Sequence, residues 1–310
     1  MRFGGHETFP VREGWLSRGL RLLQDDPELL VAEYAEDHLG VGRNMAKSIR
    51  HWLVATGLAD KTGTGRGQTP AFGLTWFGEL VLEQDPHLLD KATWWMLHIN
   101  LVNSKQHAAS WHWFFNHWNH RRFEKAVCVE NLRRHLQMTS NRQPSPRTLE
   151  RDLGCLLASY SRKVPQERAD PEDASECPFQ ELGLMHHFLG SGFYSVLGAG
   201  VDLPPAILGY SVARALVGSR WETDEFSLTE LEQMPGGPGR CLGLDAESLY
   251  DSIIRATEQA GKDLFKVKGL AGQRIVQFEG FGKEYGQKAI VEIWALTAYK
   301  AVAEGRSCHA

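Results

Sequence analysis

The sequence has no uninterrupted apolar run of the ~18 residues that a membrane-crossing helix needs. The nearest candidate, Phe188 to Val217, is broken by glycines, Asp202 and Pro204-Pro205. An apolar leader is missing too, because Arg2, His6, Glu7, Arg12 and Glu13 interrupt the N-terminus early. Cysteine is sparse. The five residues at 128, 155, 177, 241 and 308 are odd in number and widely spaced, with no Cys-x-x-Cys pair. That argues against a disulfide framework and against a zinc ribbon. No short-period repeat, low-complexity tract or P-loop string occurs. The expectation is a soluble cytoplasmic protein without a membrane partner.

What is present is ordinary globular material. The chain has 310 residues, 42% hydrophobic and 23% charged, which excludes wholesale disorder and suits two or three domains. Its net charge of −4 is unevenly spread. Residues 1–163 carry 21 Lys+Arg against 17 Asp+Glu, and residues 164–310 carry 13 against 21. Ten of the 13 histidines lie in the first part. Phosphate contact is local, so a basic, His-rich front half keeps nucleic acid open as a partner.

Helical patterns dominate, and a layout of helix, tight turn, helix and hairpin recurs. Leu29 to His38 reads as a helix and Leu39-Gly40-Val41-Gly42 as a turn. Arg43 to Thr56 reads as a second helix, with Met45, Ile49, Trp52 and Leu53 as its apolar stripe. Arg43, Lys47 and Arg50 share another face at i, i+4 and i+7, with Asn44 beside them. Asp60 to Pro70, carrying Lys61 and Arg66, reads as a hairpin wing. This order predicts a winged helix-turn-helix whose second helix enters the major groove while the wing meets phosphates. A solvated basic face on a protein-binding module is the bland alternative.

Residues 107–125 mix aromatic and basic groups. Trp111, Phe114, Phe115 and Trp118 follow core spacing, which leaves His120, Arg121 and Arg122 as candidate DNA contacts. His112, His117 and His120 do not share a face, so a His-only zinc site is not expected. Cys128 to Gln137, a polar turn, and a helix starting at Ser145-Pro146 form another helix-turn-helix, with Arg147 and Arg151 turned outward. Asp152 is left for solvent or a partner. In the back half, a helix from Ala246 to Ala260, strands near 265–268 and 274–278, and a tail helix from Lys283 to Glu304 repeat the layout faintly. The fold class expected is mainly α: several winged helix-turn-helix-like modules with small β-hairpin wings and a C-terminal helix. The domains expected are 1–90, 91–163 and 164–310.

Several strings keep a shared order: Phe3-Gly4-Gly5-His6-Glu7-Thr8-Phe9, Arg12-Glu13-Gly14-Trp15-Leu16, Leu39-Gly40-Val41-Gly42-Arg43-Asn44-Met45, Lys47-Ser48-Ile49-Arg50-His51-Trp52, Asp85-Pro86, Ala92-Thr93-Trp94, and Glu172-Asp173 with Cys177-Pro178 and Glu181-Leu182-Gly183-Leu184. Together they resemble a bacterial family once known only as a domain of unknown function and found beside DNA phosphorothioation genes. The likeness runs from Phe3 to about Ala256 and is strongest before residue 120. It implies a component that binds double-stranded DNA and acts with a cysteine desulfurase, an ATP-using reductase-like enzyme and a P-loop ATPase. One type in that family is associated with nicking one strand. The absence here of a P-loop and of a desulfurase signature fits that division of labour. The likeness does not say which residues cut.

Cutting a phosphodiester needs a nucleophilic water, neutralisation of the phosphate and help for the leaving oxygen. Nucleases supply these with carboxylates holding Mg2+ or another divalent cation, or with His as base and Arg or Lys at the phosphate. His6, Glu7 and Arg12 are the most economical candidates: His6 as base, Glu7 as metal ligand or partner of His6, Arg12 at the phosphate. The same strip can equally anchor the N-terminus through buried hydrogen bonds. Glu172 and Asp173, adjacent carboxylates suited to a hard cation, are the second candidate, against a solvated acidic loop. Cys177, with no activating cation nearby in sequence, reads as structural. The functional expectation is a DNA-binding, DNA-nicking protein of a phosphorothioation-based defence system. A non-enzymatic DNA-binding adaptor and a winged-helix transcription regulator are the alternatives, and a homo-oligomer stays open.

Overall fold

The computed structural model describes residues 1–62, 71–140, 143–164, 177–218, 223–260, 264–270, 273–281 and 286–307. Two compact units divide the chain, Met1–Leu197 and Gly198–Ala310. The breaks expected near 90 and 163 both fall inside the first unit, the second of them within a strand.

In the first unit, helices α1 (Trp15–Asp25), α2 (Ala35–Leu39) and α3 (Arg43–Ala55) precede strands β1 (Ala59–Thr62) and β2 (Ala71–Leu74), which pair antiparallel from Ala59↔Leu74 to Thr62↔Ala71. Then come α4 (Trp76–Gln84), α5 (Lys91–Asn103), α6 (Ala109–His117), β3 (Arg122–Phe123), α7 (Lys125–Thr139), α8 (Pro146–Tyr160), β4 (Ser161–Val164), a 3-10 turn (Pro178–Leu182), β5 (Met185–Phe188) and β6 (Phe193–Val196). The fold is mainly α.

Gly40 turns the chain between α2 and α3 with a left-handed φ of 63°. The first helix of that pair is shorter than the periodicity predicts. Residues 27–34 form successive turns, with Leu29 and Val31 donating to carbonyls three residues back at Asp26 and Glu28. On α3, Ile49, Trp52 and Leu53 are fully buried, as the stripe requires. Helix α5 is buried on every side from Ala92 to Val102, so it is the hub of this unit. Helices α6 and α8 pack about it with Trp111, Phe114 and Tyr160 inward. Ser145 caps α8 by accepting from the Thr148 N–H at 3.1 Å.

A four-stranded mixed sheet, order β3-β6-β5-β4, closes the unit, with β4 and β5 parallel. The second unit holds α9 (Pro205–Leu216), β7 (Glu225–Ser227), α10 (Leu228–Gln233), α11 (Pro238–Cys241), α12 (Ala246–Ala260), β8 (Phe265–Leu270), β9 (Gln273–Phe278) and α13 (Gln287–Ser307). Its sheet has the order β7-β9-β8. The hairpin of β8 and β9 matches the expected strands, and β7 joins it as an unforeseen third. Among the described residues no helix is long and apolar enough to cross a membrane.

Candidate nucleic-acid interface

The N-terminal strip is a strained run of turns pinned to α8. Gly4 has a φ of 71°, and Glu7 and Thr8 hold φ of 50° and 70°, values that side-chain-bearing residues rarely adopt. Asp152 explains the strain. Its Oδ1 accepts from the Gly4 N–H at 2.6 Å and from His6 Nε2 at 2.7 Å, and its Oδ2 accepts from the Ser110 hydroxyl. His6 Nδ1 accepts from the Thr8 N–H at 3.0 Å, which puts the proton of the neutral ring on Nε2. Asp152 and His6 are 2% and 1% exposed. The Phe9 carbonyl then accepts from Trp52 Nε1 at 3.0 Å.

This geometry corrects the placement of Asp152, which points inward rather than to solvent. The signal was available: Asp152 stands three residues after Leu149 and four before Leu156, inside the buried stripe. It also gives His6 the anchoring role, since both ring nitrogens are taken. His6, Glu7 and Arg12 do not meet at one cavity. Arg12 lies over the rings of Phe9 and Trp15, at 6.0 and 5.7 Å, and lines a cavity with Trp94, Cys177, Pro178 and Glu181. Glu7 lines a different one.

That second cavity, of about 420 Å3, brings together three of the expected DNA contacts, Lys47, Arg50 and Lys61. Arg2, Glu7, Lys47, Arg50, His51 and Lys61 line it, over Val31, Val54 and Phe72. Helix α3 supplies Lys47 and, one turn on, Arg50 and His51, β1 supplies Lys61, and the N-terminal segment supplies Arg2 and Glu7. Lys47 and Lys61 are exposed, whereas Arg50 is half-buried and donates to the Leu30 carbonyl at 3.4 Å. Burial lowers the Arg50 pKa, opposed by Glu36. Arg43 and Asn44 stand exposed at the start of α3, outside this cavity, and Arg43 is paired to Glu36 at 3.0 Å. Arg66 lies outside the described residues, as do Glu172 and Asp173.

Beyond the strip, Thr8 lines a third concavity of about 370 Å3 with Lys125, Arg147, Arg151 and Glu150. The turns of residues 4–8 therefore border two basic hollows. His120, Arg121 and Arg122 are exposed near β3, apart from both, and Arg122 lies 4.8 Å from the Phe193 ring centre.

A hard divalent cation takes carboxylate, carbonyl or water oxygens. Glu7 offers one carboxylate in a cavity whose other polar side chains are cations and an imidazole, so its surroundings do not suit such an ion. Among the described residues no group of three or more His, Cys, Asp or Glu is arranged to hold a metal. Cys177 is buried, with its thiol pushed up to about 12 by burial, in keeping with a structural role.

A strained N-terminal strip anchored to α3 and α8 distinguishes this architecture, and the chain belongs to the family described as protein of unknown function (DUF4007), whose profile matches residues 3–293. Two crystal structures of SspB, one of them magnesium-ion-bound, are similar to it along nearly its whole length. Each has a TM-score of 0.82 and 26% identity, covering 97% of this chain and 88% of the other. The likeness carried by the N-terminal strings is thus shown. No curated protein matches the chain.

Proposed function

We propose that this protein is a DNA-binding, DNA-nicking component of a bacterial DNA phosphorothioation system, acting in anti-phage defence. The observation that carries the reading is the basic cavity of Arg2, Lys47, Arg50 and Lys61, built on helix, turn, helix and hairpin in a chain similar to SspB. In this reading α2 and α3 with the β1–β2 hairpin work as a winged helix: α3 faces the major groove and the hairpin flanks the neighbouring phosphates. Arg43 and Asn44 extend the contact along α3. Arg147 and Arg151 meet the backbone on the far side of the strip, and His120, Arg121 and Arg122 extend the basic surface. Sulfur insertion belongs to partners: a cysteine desulfurase, an ATP-using reductase-like enzyme and a P-loop ATPase. The magnesium ion in one SspB structure supports testing a divalent cation.

A second reading is a non-enzymatic adaptor that presents DNA to those enzymes. It is favoured by the single carboxylate at the cavity. Supercoiled plasmid incubated with the purified protein, with magnesium or with a chelator, separates the two. Nicking predicts open circles with wild-type protein, and a plasmid that stays supercoiled while DNA is bound leaves the adaptor. DNA contact itself is checked by a salt series. Replacing Lys47, Arg50 and Lys61 together by Ala is expected to flatten the slope of log affinity against log salt by about 0.9 for each lost phosphate contact. An unchanged slope in a folded triple variant would remove this surface from consideration.

A further inference from the structure

His51 stands at the wall of the basic cavity with its ring unclaimed by the described residues. It is 6% exposed, and no described residue hydrogen-bonds either ring nitrogen. An imidazole that no neighbour hydrogen-bonds, on a cavity wall, is free to bond whatever enters the cavity. The ring is held by packing instead. Trp52 and His6 lie 5.5 and 5.9 Å away, centre to centre. Residue 5 is glycine at the one place where a Cβ would stand 2.5 Å from His51 Nδ1 and 2.8 Å from Arg2 Nε. The strained strip thus makes room for an imidazole at the wall of the basic cavity.

We propose that this cavity seats one phosphodiester of DNA and that His51 takes the proton from the water that attacks it. The inference rests on the nicking reading above. Arg2, Lys47, Arg50 and Lys61 answer the charge of the phosphate. His51 stands among them neutral: burial first, then His6, Arg2 and His107, hold its pKa well below the ordinary imidazole value. Glu7 is the acid lining the cavity, and Asp60 acts on His107 from the hairpin side. A seated phosphate opposes those cations and raises the basicity of the ring toward working pH. In the step itself, the water oxygen bonds to phosphorus as its proton passes to His51. The phosphorus–oxygen bond to one sugar breaks, and the departing alkoxide takes a proton from solvent. The imidazolium then returns its proton to solvent. His6 cannot serve, because both of its nitrogens are already engaged.

The test compares the full-length wild type with His51→Gln and His51→Asn, from pH 5 to 9, for single-turnover nicking of supercoiled plasmid and for affinity to a short duplex. The expected result is near-wild-type duplex affinity with nicking reduced by about 10²–10⁴-fold. The wild-type rate should climb with pH and level off, and the variants should lose that climb, which a merely structural role would not remove. A folded variant that nicks at the wild-type rate with the wild-type pH profile overturns the role of His51 alone. Wild-type protein that binds duplex but leaves plasmid intact overturns the nicking reading and the base together. If both substitutions prevent folding, histidine-labelled wild type is titrated by NMR with the same duplex. The His51 pKa is expected to rise by about one unit or more, and an unmoved His51 refutes the proposal.

Discussion

At the scale of single residues, Asp152 is the most consequential side chain of the first unit. It receives the Gly4 N–H, the His6 ring N–H and the Ser110 hydroxyl in a site closed to water. Asp152→Ala leaves all three donors unmet, so a loss of about 3–5 kcal/mol is expected, read from urea unfolding. A variant as stable as wild type would mean that the strip is held by something else. His51 makes a separate prediction. Its folded-state pKa is lowered, so between that value and the ordinary value near 6.5 the unfolded chain holds the extra proton. Stability therefore rises with pH through this window and is lost as pH falls below about 6.5, by at most about 1.4 kcal/mol per unit. His51→Gln should remove that part of the slope in melts from pH 5 to 7. The sequence singled out the strip and the helix that line the cavity but not which histidine stands where. Residues 6 and 51 both sit in family-like strings, and only the fold decides that one is fully hydrogen-bonded and the other left facing a cavity.

Helices were legible at the scale of elements, because a 3.6-residue stripe and a cap are local signals. Ser145-Pro146 opens α8 as read, and α12 spans the predicted residues. The mixed sheet was not legible. Strand β4 pairs parallel with β5 across some twenty intervening residues, a non-local partnership that four-residue strands do not announce. The tail helix shows a finer miss. Ile290, Trp294 and Ala298 point inward as expected, yet Ile293 is 37% exposed, and Val291, Ala295 and Tyr299 fill the face instead. The reason lies on α9. A Cβ on buried Gly209 would fall 2.2–2.4 Å from the Trp294 ring, so the tail docks with its tryptophan against bare backbone. Gly209→Ala is expected to destabilise the second unit by about 1–3 kcal/mol through overpacking. Trp294→Leu should recover part of that loss in the double variant, because the two sites share one contact. Additive losses in thermal unfolding would refute the contact.

For the whole molecule, the charge asymmetry depends on where the chain is cut. Residues 1–197 carry 22 Lys+Arg and 23 Asp+Glu, and residues 198–310 carry 12 and 15, together the 34 and 38 of the chain. Divided where the structure divides it, neither unit is basic. The earlier excess arose because a cut at 163 excludes the acids between Glu167 and Glu181. Net charge therefore does not single out either unit, and the proposed DNA contact rests on the local cavity of cations alone. The same boundary fixes which fragment to test. A piece ending at Lys163 severs β4 and discards β5 and β6, which exposes one side of Phe123, Met185's partner strand and the end of α8. A piece ending at Leu197 keeps the sheet whole. The 1–197 fragment is expected to unfold cooperatively and to bind duplex DNA with about the full chain's salt slope, since the cavity lies entirely within it. The 1–163 fragment should show a broad, non-cooperative melt. If residues 198–310 bind duplex while a folded 1–197 fragment does not, the interface has been sought on the wrong unit.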